Sequence, residues 1–331
     1  MATFPLSTRP ALLVAALACA ALGAPPMVAQ AAPVAQQQTQ VPGFYRMALG
    51  EFEVTALYDG YVNLDTQLLK GASAEDIQSL LARMFVESGG GVQTAVNAYL
   101  INTGSQLVLV DTGAAQCFGP TLGGILGNIR AAGYEPAQID SVLLTHLHPD
   151  HACGLLDEAG RPAFAAAQVH VPQVEADYWL SEAVAAQAPE GRRGMFAMAR
   201  AAVAPYVAEG RLQVYGEAGP RIAGVSPVAT PGHTPGHSAY RFSSGAHSLL
   251  VWGDIVHSHA VQFARPAVAI EFDVDREQAI ATRRQVFADV ARERLWVAGA
   301  HLPFPGIGHV RAEGGGYAWV PVEYAPLRAA P

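Results

Sequence analysis

Four side chains able to bind a metal, His146, His148, Asp150 and His151, fall within six positions just after the apolar run at residues 139–144. Three further short stretches carry the same chemistry: Gly232-His233-Thr234, Gly253-Asp254 and Ala300-His301-Leu302-Pro303. Imidazoles with a few carboxylates form a borderline donor set that suits Zn2+, and Mn, Fe and Co accept it as well. Seven such groups exceed what one ion uses. A catalytic zinc takes about three protein ligands and leaves a position open, so two ions fit if one carboxylate bridges them. Two metals roughly 3.5–4 Å apart can share a hydroxide, one polarising a substrate oxygen while the other stabilises the leaving oxygen. No protein nucleophile is then required. The chain has no Gly-x-Ser-x-Gly elbow, and Gly89-Gly90-Gly91 lacks the Lys and Ser/Thr of a phosphate loop. His170, His237, His247 and His309 stand alone and are expected to be structural.

The elements that must position these groups follow from hydrophobic period and turn chemistry. Phe52 to Leu57 alternates like a strand, with Asp59-Gly60 as its turn. Residues 74–85 have helical spacing behind Ser73, an expected N-cap. Residues 95–101 and 106–110 read as a hairpin through Asn102-Thr103-Gly104-Ser105. Asp111 at its end is expected to fix a neighbouring loop or a ligand histidine. A helix is expected at 121–132, and strands at 139–144 and 167–171. Helices at 174–185 and 195–206 flank a mobile-looking linker, 188–194, and bring Tyr178, Trp179, Met195 and Phe196 as core or as a pocket wall. The second half offers strands at 212–215, 222–229, 239–242, 248–252 and 295–298, with a long helix at 276–292. Strands, helix and strands in each half imply an α/β fold in which two sheets pack face to face with helices outside, within one domain over residues 43–331.

Composition narrows the partners. Of 331 residues, 51% are hydrophobic, enough to bury a large core. A net charge of −8 and a single lysine, Lys70, exclude a nucleic-acid surface and favour a small neutral or weakly polar substrate. Residues 1–31 read as a signal peptide, with Arg9, an apolar core from Ala11 to Ala24 and the small-x-small site Ala29-Gln30-Ala31. The expected product is an exported protein, periplasmic or secreted. Pro25-Pro26 interrupts the run before the roughly 18 apolar residues that a span requires, so no stable membrane insertion is expected. Cys19 leaves a lesser lipoprotein reading. Residues 32–42 are Gln- and Pro-rich and read as a flexible lead-in. The mature chain keeps Cys117 and Cys153. One disulfide is possible but is not readable from spacing, and Cys153 is expected as small buried filler rather than a metal ligand.

His146-x-His148-x-Asp150-His151, taken with Gly232-His233-Thr234, Gly253-Asp254 and His301, resembles the metallo-β-lactamase superfamily across essentially the whole mature chain. The resemblance implies an αββα sandwich with a dimetal site at one edge. It implies that His146, His148 and His233 hold one ion, that Asp150, His151 and His301 hold the other, and that Asp254 bridges them. Pro42-Gly43-Phe44-Tyr45-Arg46-Met47, residues 109–115 and residues 300–309 are similar to the methyl parathion hydrolase group within that superfamily. Members of that group are exported and tend to dimerise, which implies a homodimer here. They carry a hydrophobic pocket over the metals, at positions that Phe118, Trp179 and Phe196 match. The chain departs from the phosphotriester specialist at Leu69, in the place of an arginine, and at His257, Ile270 and Phe272, where it looks more like lactonase and arylesterase relatives.

The resemblance therefore implies two Zn2+ ions and hydrolysis of hydrophobic or aromatic lactones and aryl esters, with phosphotriester cleavage as a secondary activity. Organophosphate triester hydrolysis is the alternative expectation. Opening of acyl-homoserine lactones, β-lactam hydrolysis and diiron chemistry on oxygen or thiol-linked substrates rank below it.

Overall fold

The structure is a computed structural model that describes Met1 and residues 34–327, so the expected signal peptide lies outside the described residues. Residues 34–40 are exposed, without helix or strand. The compact unit that carries the site runs from Val41 to Pro331.

Its chain opens with β1 (Phe44–Leu49) and β2 (Phe52–Leu64), then β3 (Leu69–Lys70) and α1 (Ala74–Arg83), capped by the Ser73 hydroxyl as expected. The hairpin of β4 (Val92–Asn102) and β5 (Leu107–Val110) leads to α2 (Ile125–Ala131), β6 (Ser141–Leu143), the short α3 (Pro149–Ala152) and β7 (Gln168–Pro172). Three helices follow, α4 (Gln173–Trp179), α5 (Glu182–Gln187) and α6 (Glu190–Ala208), then β8 (Leu212–Tyr215). The remainder comprises β9 (Val225–Ala229), β10 (Ser238–Ser244), β11 (His247–Val251), α7 (His259–Gln262), β12 (Ala269–Ile270), α8 (Arg276–Glu293), β13 (Trp296–Ala298), β14 (Ile307–Glu313) and β15 (Gly316–Pro321).

A seven-stranded sheet has the order β1-β2-β4-β5-β6-β7-β8, and a six-stranded sheet the order β15-β14-β13-β11-β10-β9. Both are mixed: β5 through β8 pair in parallel, as do β11 and β13. Strand alternation explains the layers. Val54, Ala56, Tyr99, Ile101, Val108 and Val110 meet Tyr240, Phe242, Leu249 and Val251 between the sheets. The intervening Leu57, Leu100 and Leu109 pack outward with Ile125, Ile129 and Val203 of α2 and α6, while Leu250 and Val297 meet Phe287 and Val290 of α8. Because both faces of the central strands are covered, these strands read as continuous apolar runs. The fold is the αββα sandwich.

Several local expectations are corrected. Asp59-Gly60 does not turn the chain but forms an irregularity inside β2. The Asp59 carboxylate accepts backbone N–H groups of Ala114, Gly123 and Ile125, and a Cβ on Gly60 would lie 1.8 Å from the Thr121 carbonyl. Those same bonds hold residues 121–124 in a loop, which shortens α2 from the expected 121–132. The linker at 188–194 is mostly helix: α6 starts at Glu190, and the Arg193 guanidinium ties it to the Ala186 and Ala188 carbonyls. The helix expected at 174–185 is two, because Ser181 caps a new start.

Candidate metal centre

The candidate ligands lie beyond strand ends, Asp150 and His151 in the short α3, Asp254 in a 3-10 turn and the others on loops, and buried hydrogen bonds dictate the shape of these segments. Asp111, beyond β5 at φ 60°, accepts the backbone N–H and the hydroxyl of Thr145, both at 2.8 Å, and lies 2.9 Å from His151 Nδ1. One carboxylate thus shapes the start of the His146 loop and orients a histidine at its end. Thr112 donates its N–H and hydroxyl to the His151 carbonyl. Gly253, at φ 53°, lets Asp254 approach, since a Cβ there would stand 2.7 Å from His237 Nε2. His237 is structural as expected: it accepts the Asp254 N–H at 3.0 Å, and burial holds its pKa down at about 3.

The loops bring together two clusters, His146, His148, His233 and Asp254 in one, and Asp150, His151, Asp254 and His301 in the other. Within each, the donor atoms lie within 4.8 Å of one another. His148 Nδ1 is 2.9 Å from Nε2 of both His146 and His233. Asp254 reaches both groups: Oδ2 is 3.2 Å from His233 Nε2 and from His301 Nε2, while Oδ1 is 3.1 Å from His151 Nε2. Asp150 Oδ2 stands 3.4 Å from His301 Nε2 and 3.5 Å from His151 Nε2.

These residues fit a pair of metal ions. The outer ring nitrogens are already engaged, His146 by Thr145, His151 by Asp111, His233 by Asp273 and His301 by the Ala95 carbonyl. That leaves Nε2 of each turned inward, the arrangement in which an outer partner selects the tautomer and orients the ring. Buried His151 Nε2 and Asp254 Oδ1 have no hydrogen-bond partner, and such orphan atoms are costly unless something else satisfies them. Converging imidazole nitrogens with two carboxylates are the donor set of a borderline divalent ion.

The electrostatics show what the chain does with this density of charge. Burial disfavours a protonated His233 and His301, but hydrogen bonds and charges from Asp254, with Asp273 and Asp150 respectively, outweigh it and push them up to about 9 and about 10. His151 is likewise raised by the acids around it against its burial. Burial and the charge of neighbouring histidines hold His146 and His148 well below their ordinary value. Asp254 and Asp150 stay far below the usual carboxylate range, because the histidine charges outweigh their burial.

A cavity of about 490 Å3 opens over both clusters. Val62, Leu64, Leu68, Phe118, Met195 and Phe272 give it apolar walls, and His257, Asn63, Thr94 and Thr121 join the candidate ligands as its polar groups. Phe118 and Phe272 are partly exposed there, and His257 Nε2 lies 3.1 Å from Asp254 Oδ2. Four expected pocket residues do not line this cavity. Trp179 and Phe196 are buried, with the Trp179 ring 5.1 Å from His148 and Phe196 4.5 Å behind it, so they brace a candidate ligand rather than face the cavity. Leu69 pairs with Ile270 across β3 and β12, and both are buried. Leu68, one residue before Leu69, and Phe272, two residues after Ile270, reach the cavity instead. Cys153 is not simple filler, because it forms a disulfide with Cys117, beside Phe118.

Sequence reasoning missed Asp273, Glu175 and Leu68. No motif marks the first two, and the third was displaced by one position.

Residues 91–316 match the family model of the metallo-beta-lactamase superfamily. The chain belongs to that superfamily and is a metal-dependent hydrolase. It is 41% identical to a solved structure described as hydrolase AbOPH in the beta-lactamase superfamily, covering 87% of this chain and 100% of that one, with a TM-score of 0.84. It is 26% identical to AidC, a dizinc quorum-quenching lactonase solved with the product N-hexanoyl-L-homoserine, covering 86% of this chain and 99% of that one at a TM-score of 0.79. A probable metal-dependent hydrolase from Staphylococcus aureus shares the fold at 19% identity, with 85% and 100% coverage and a TM-score of 0.67. No match was found among curated proteins.

Proposed function

We propose that this chain is a dizinc hydrolase of the methyl parathion hydrolase-like group that opens hydrophobic or aromatic lactones and aryl esters, with phosphotriester cleavage as a secondary activity. The observation that carries the reading is an apolar cavity set directly over the two clusters, with His257 as an added polar group in it. His146, His148 and His233 would hold one ion, and Asp150, His151 and His301 the other, with Asp254 shared. Two zinc ions bound there would supply Lewis acidity and lower the pKa of water at the site.

The chain's own groups do the rest. Leu64, Leu68, Phe118 and Phe272 bury an aryl or alkyl group and keep bulk water from it. His257 lines the cavity with its Nε2 3.1 Å from Asp254 Oδ2, and from there it offers a hydrogen bond to a carbonyl or ring oxygen entering beside Asp254. Asp150, the least buried of the candidate ligands, opens to the cavity, and its carboxylate is placed to orient a proton on its way to the leaving oxygen. The neighbour AidC, a lactonase by name, supports the lactone-opening part of the reading. The reading of an exported homodimer stands beside it, and the Cys117–Cys153 bond supports an oxidising location. Among the described residues, no helix is long and apolar enough to cross a membrane.

Turnover of dihydrocoumarin, phenyl acetate, methyl parathion and an acyl-homoserine lactone tests the reading. Dihydrocoumarin and phenyl acetate should lead, and His257→Leu should lower lactone kcat/KM about 10-fold or more relative to phosphotriester, the loss of one hydrogen bond to a developing charge. A methyl parathion rate far above every ester rate, or unchanged selectivity in the variant, would overturn the assignment.

A further inference from the structure

Glu175 is fully buried, yet it ligates nothing and faces no substrate cavity. It lies in the first turn of α4, and burial pushes its carboxyl up to about 7 in spite of its hydrogen bonds. Oε1 accepts the Leu147 N–H at 2.9 Å, and Oε2 accepts the Thr234 hydroxyl at 2.7 Å and the Gly236 N–H at 3.0 Å. Leu147 stands between His146 and His148, and Thr234 follows His233. One carboxylate therefore ties the loop that leaves β6 of the seven-stranded sheet to the loop that leaves β9 of the six-stranded sheet. The contact is built on both sides: a Cβ on Gly236 would fall 2.2 Å from the Glu175 nitrogen, so only glycine lets the second loop approach. Asp273 and Asp111 hold ligand rings directly, whereas Glu175 holds the backbone from which the rings project.

We propose that Glu175 is a positioning residue that sets the separation of the His146/His148 loop from the His233 loop, and through it the retention of the ion held by those three histidines. This rests on the metal-centre reading above. The other cluster, formed by Asp150, His151, Asp254 and His301, shares Asp254 but receives no hydrogen bond from Glu175, so the effect falls first on one ion of two.

Full-length wild type, Glu175→Gln and Thr234→Val are loaded with zinc, and release to a chromophoric chelator is followed in time alongside thermal unfolding of the chelator-treated proteins. The expected result is two release phases in wild type, one of which accelerates about 10- to 100-fold in Glu175→Gln, the range seen when outer partners of metal ligands are lost. The second phase should change far less. Thr234→Val removes one of three donors and keeps the carboxylate, so it should accelerate the same phase by less, and it carries the test alone if Glu175→Gln does not fold. Equal acceleration of both phases, or melting of the metal-free variants lowered with release unchanged, would reduce Glu175 to a structural role and overturn the proposal. Failure of the wild type to take up metal would overturn the metal-centre reading and this role with it.

Discussion

Asp273 shows how a single side chain prepares a ligand. Its Oδ1 lies 2.9 Å from His233 Nδ1, its Oδ2 accepts the Ile270 N–H at 3.0 Å, and the side chain is fully buried. The carboxylate is therefore fixed by the backbone before it fixes the imidazole. Removing it frees the ring to rotate and leaves its tautomer unset. Asp273→Ala should weaken binding of one ion about 10- to 100-fold, measured by competition with a chelator. Equal affinity for both ions in wild type and variant would show that His233 is oriented by its packing alone.

Among the elements, the loop from Asp111 to α2 does two jobs. Its first residue organises Thr145 and His151, and its middle carries Phe118 into the cavity wall, with Cys117 bonded to Cys153 two residues beyond His151. The disulfide thus links a pocket wall to the segment that presents the candidate ligands. Replacing both cysteines with serine should let Phe118 move and change selectivity between dihydrocoumarin and a longer-chain lactone by about 5-fold or more, the ~1 kcal/mol that one pocket contact contributes. Phe118→Ala should have the same effect alone and add little in the cysteine-free background, since coupled residues are not additive. Full additivity in that double-mutant cycle would separate the disulfide from the pocket.

For the whole molecule, the metal centre joins the two sheets, and its charge makes folding depend on both metal and pH. In the metal-free protein, His233 and His301 rise from 6.5 to about 9 and about 10. Groups raised on folding contribute stability that is complete below the unfolded pKa and is lost as pH rises through the folded value. Glu175, raised from 4.5 to about 7, acts in the same direction at lower pH. His146 and His148, held below 6.5, lose their contribution as pH falls beneath that value. The metal-free protein should therefore melt at progressively lower temperature as pH climbs from about 7 to about 10, whereas the zinc-loaded protein should hold or gain relative to it, because metal competes with protons for the same nitrogens. Melting curves of chelated and loaded protein across that range decide it. A flat or rising metal-free curve would show that those protons are not bound in the folded state.

What the sequence by itself determined is local or periodic. Four candidate ligands sit within six residues of one another, so their meeting needs no long-range information, and apolar runs on the central strands announce sheets covered on both faces. Only the tertiary structure decided which carboxylates stand behind the histidines, that Cys117 pairs with Cys153, and which way each pocket residue points. Glu175 meets its partners across 28, 59 and 61 residues, and Asp273 meets His233 across 40, separations over which spacing carries no geometric signal. Leu68 and Leu69 are equally apolar in sequence, yet β3 pairs with β12 so that Leu69 is buried while Leu68 reaches the cavity. Leu68 closes a 3-10 turn and Leu69 begins the strand, and only that change of backbone, with the pairing of strands, fixes which of the two faces the cavity.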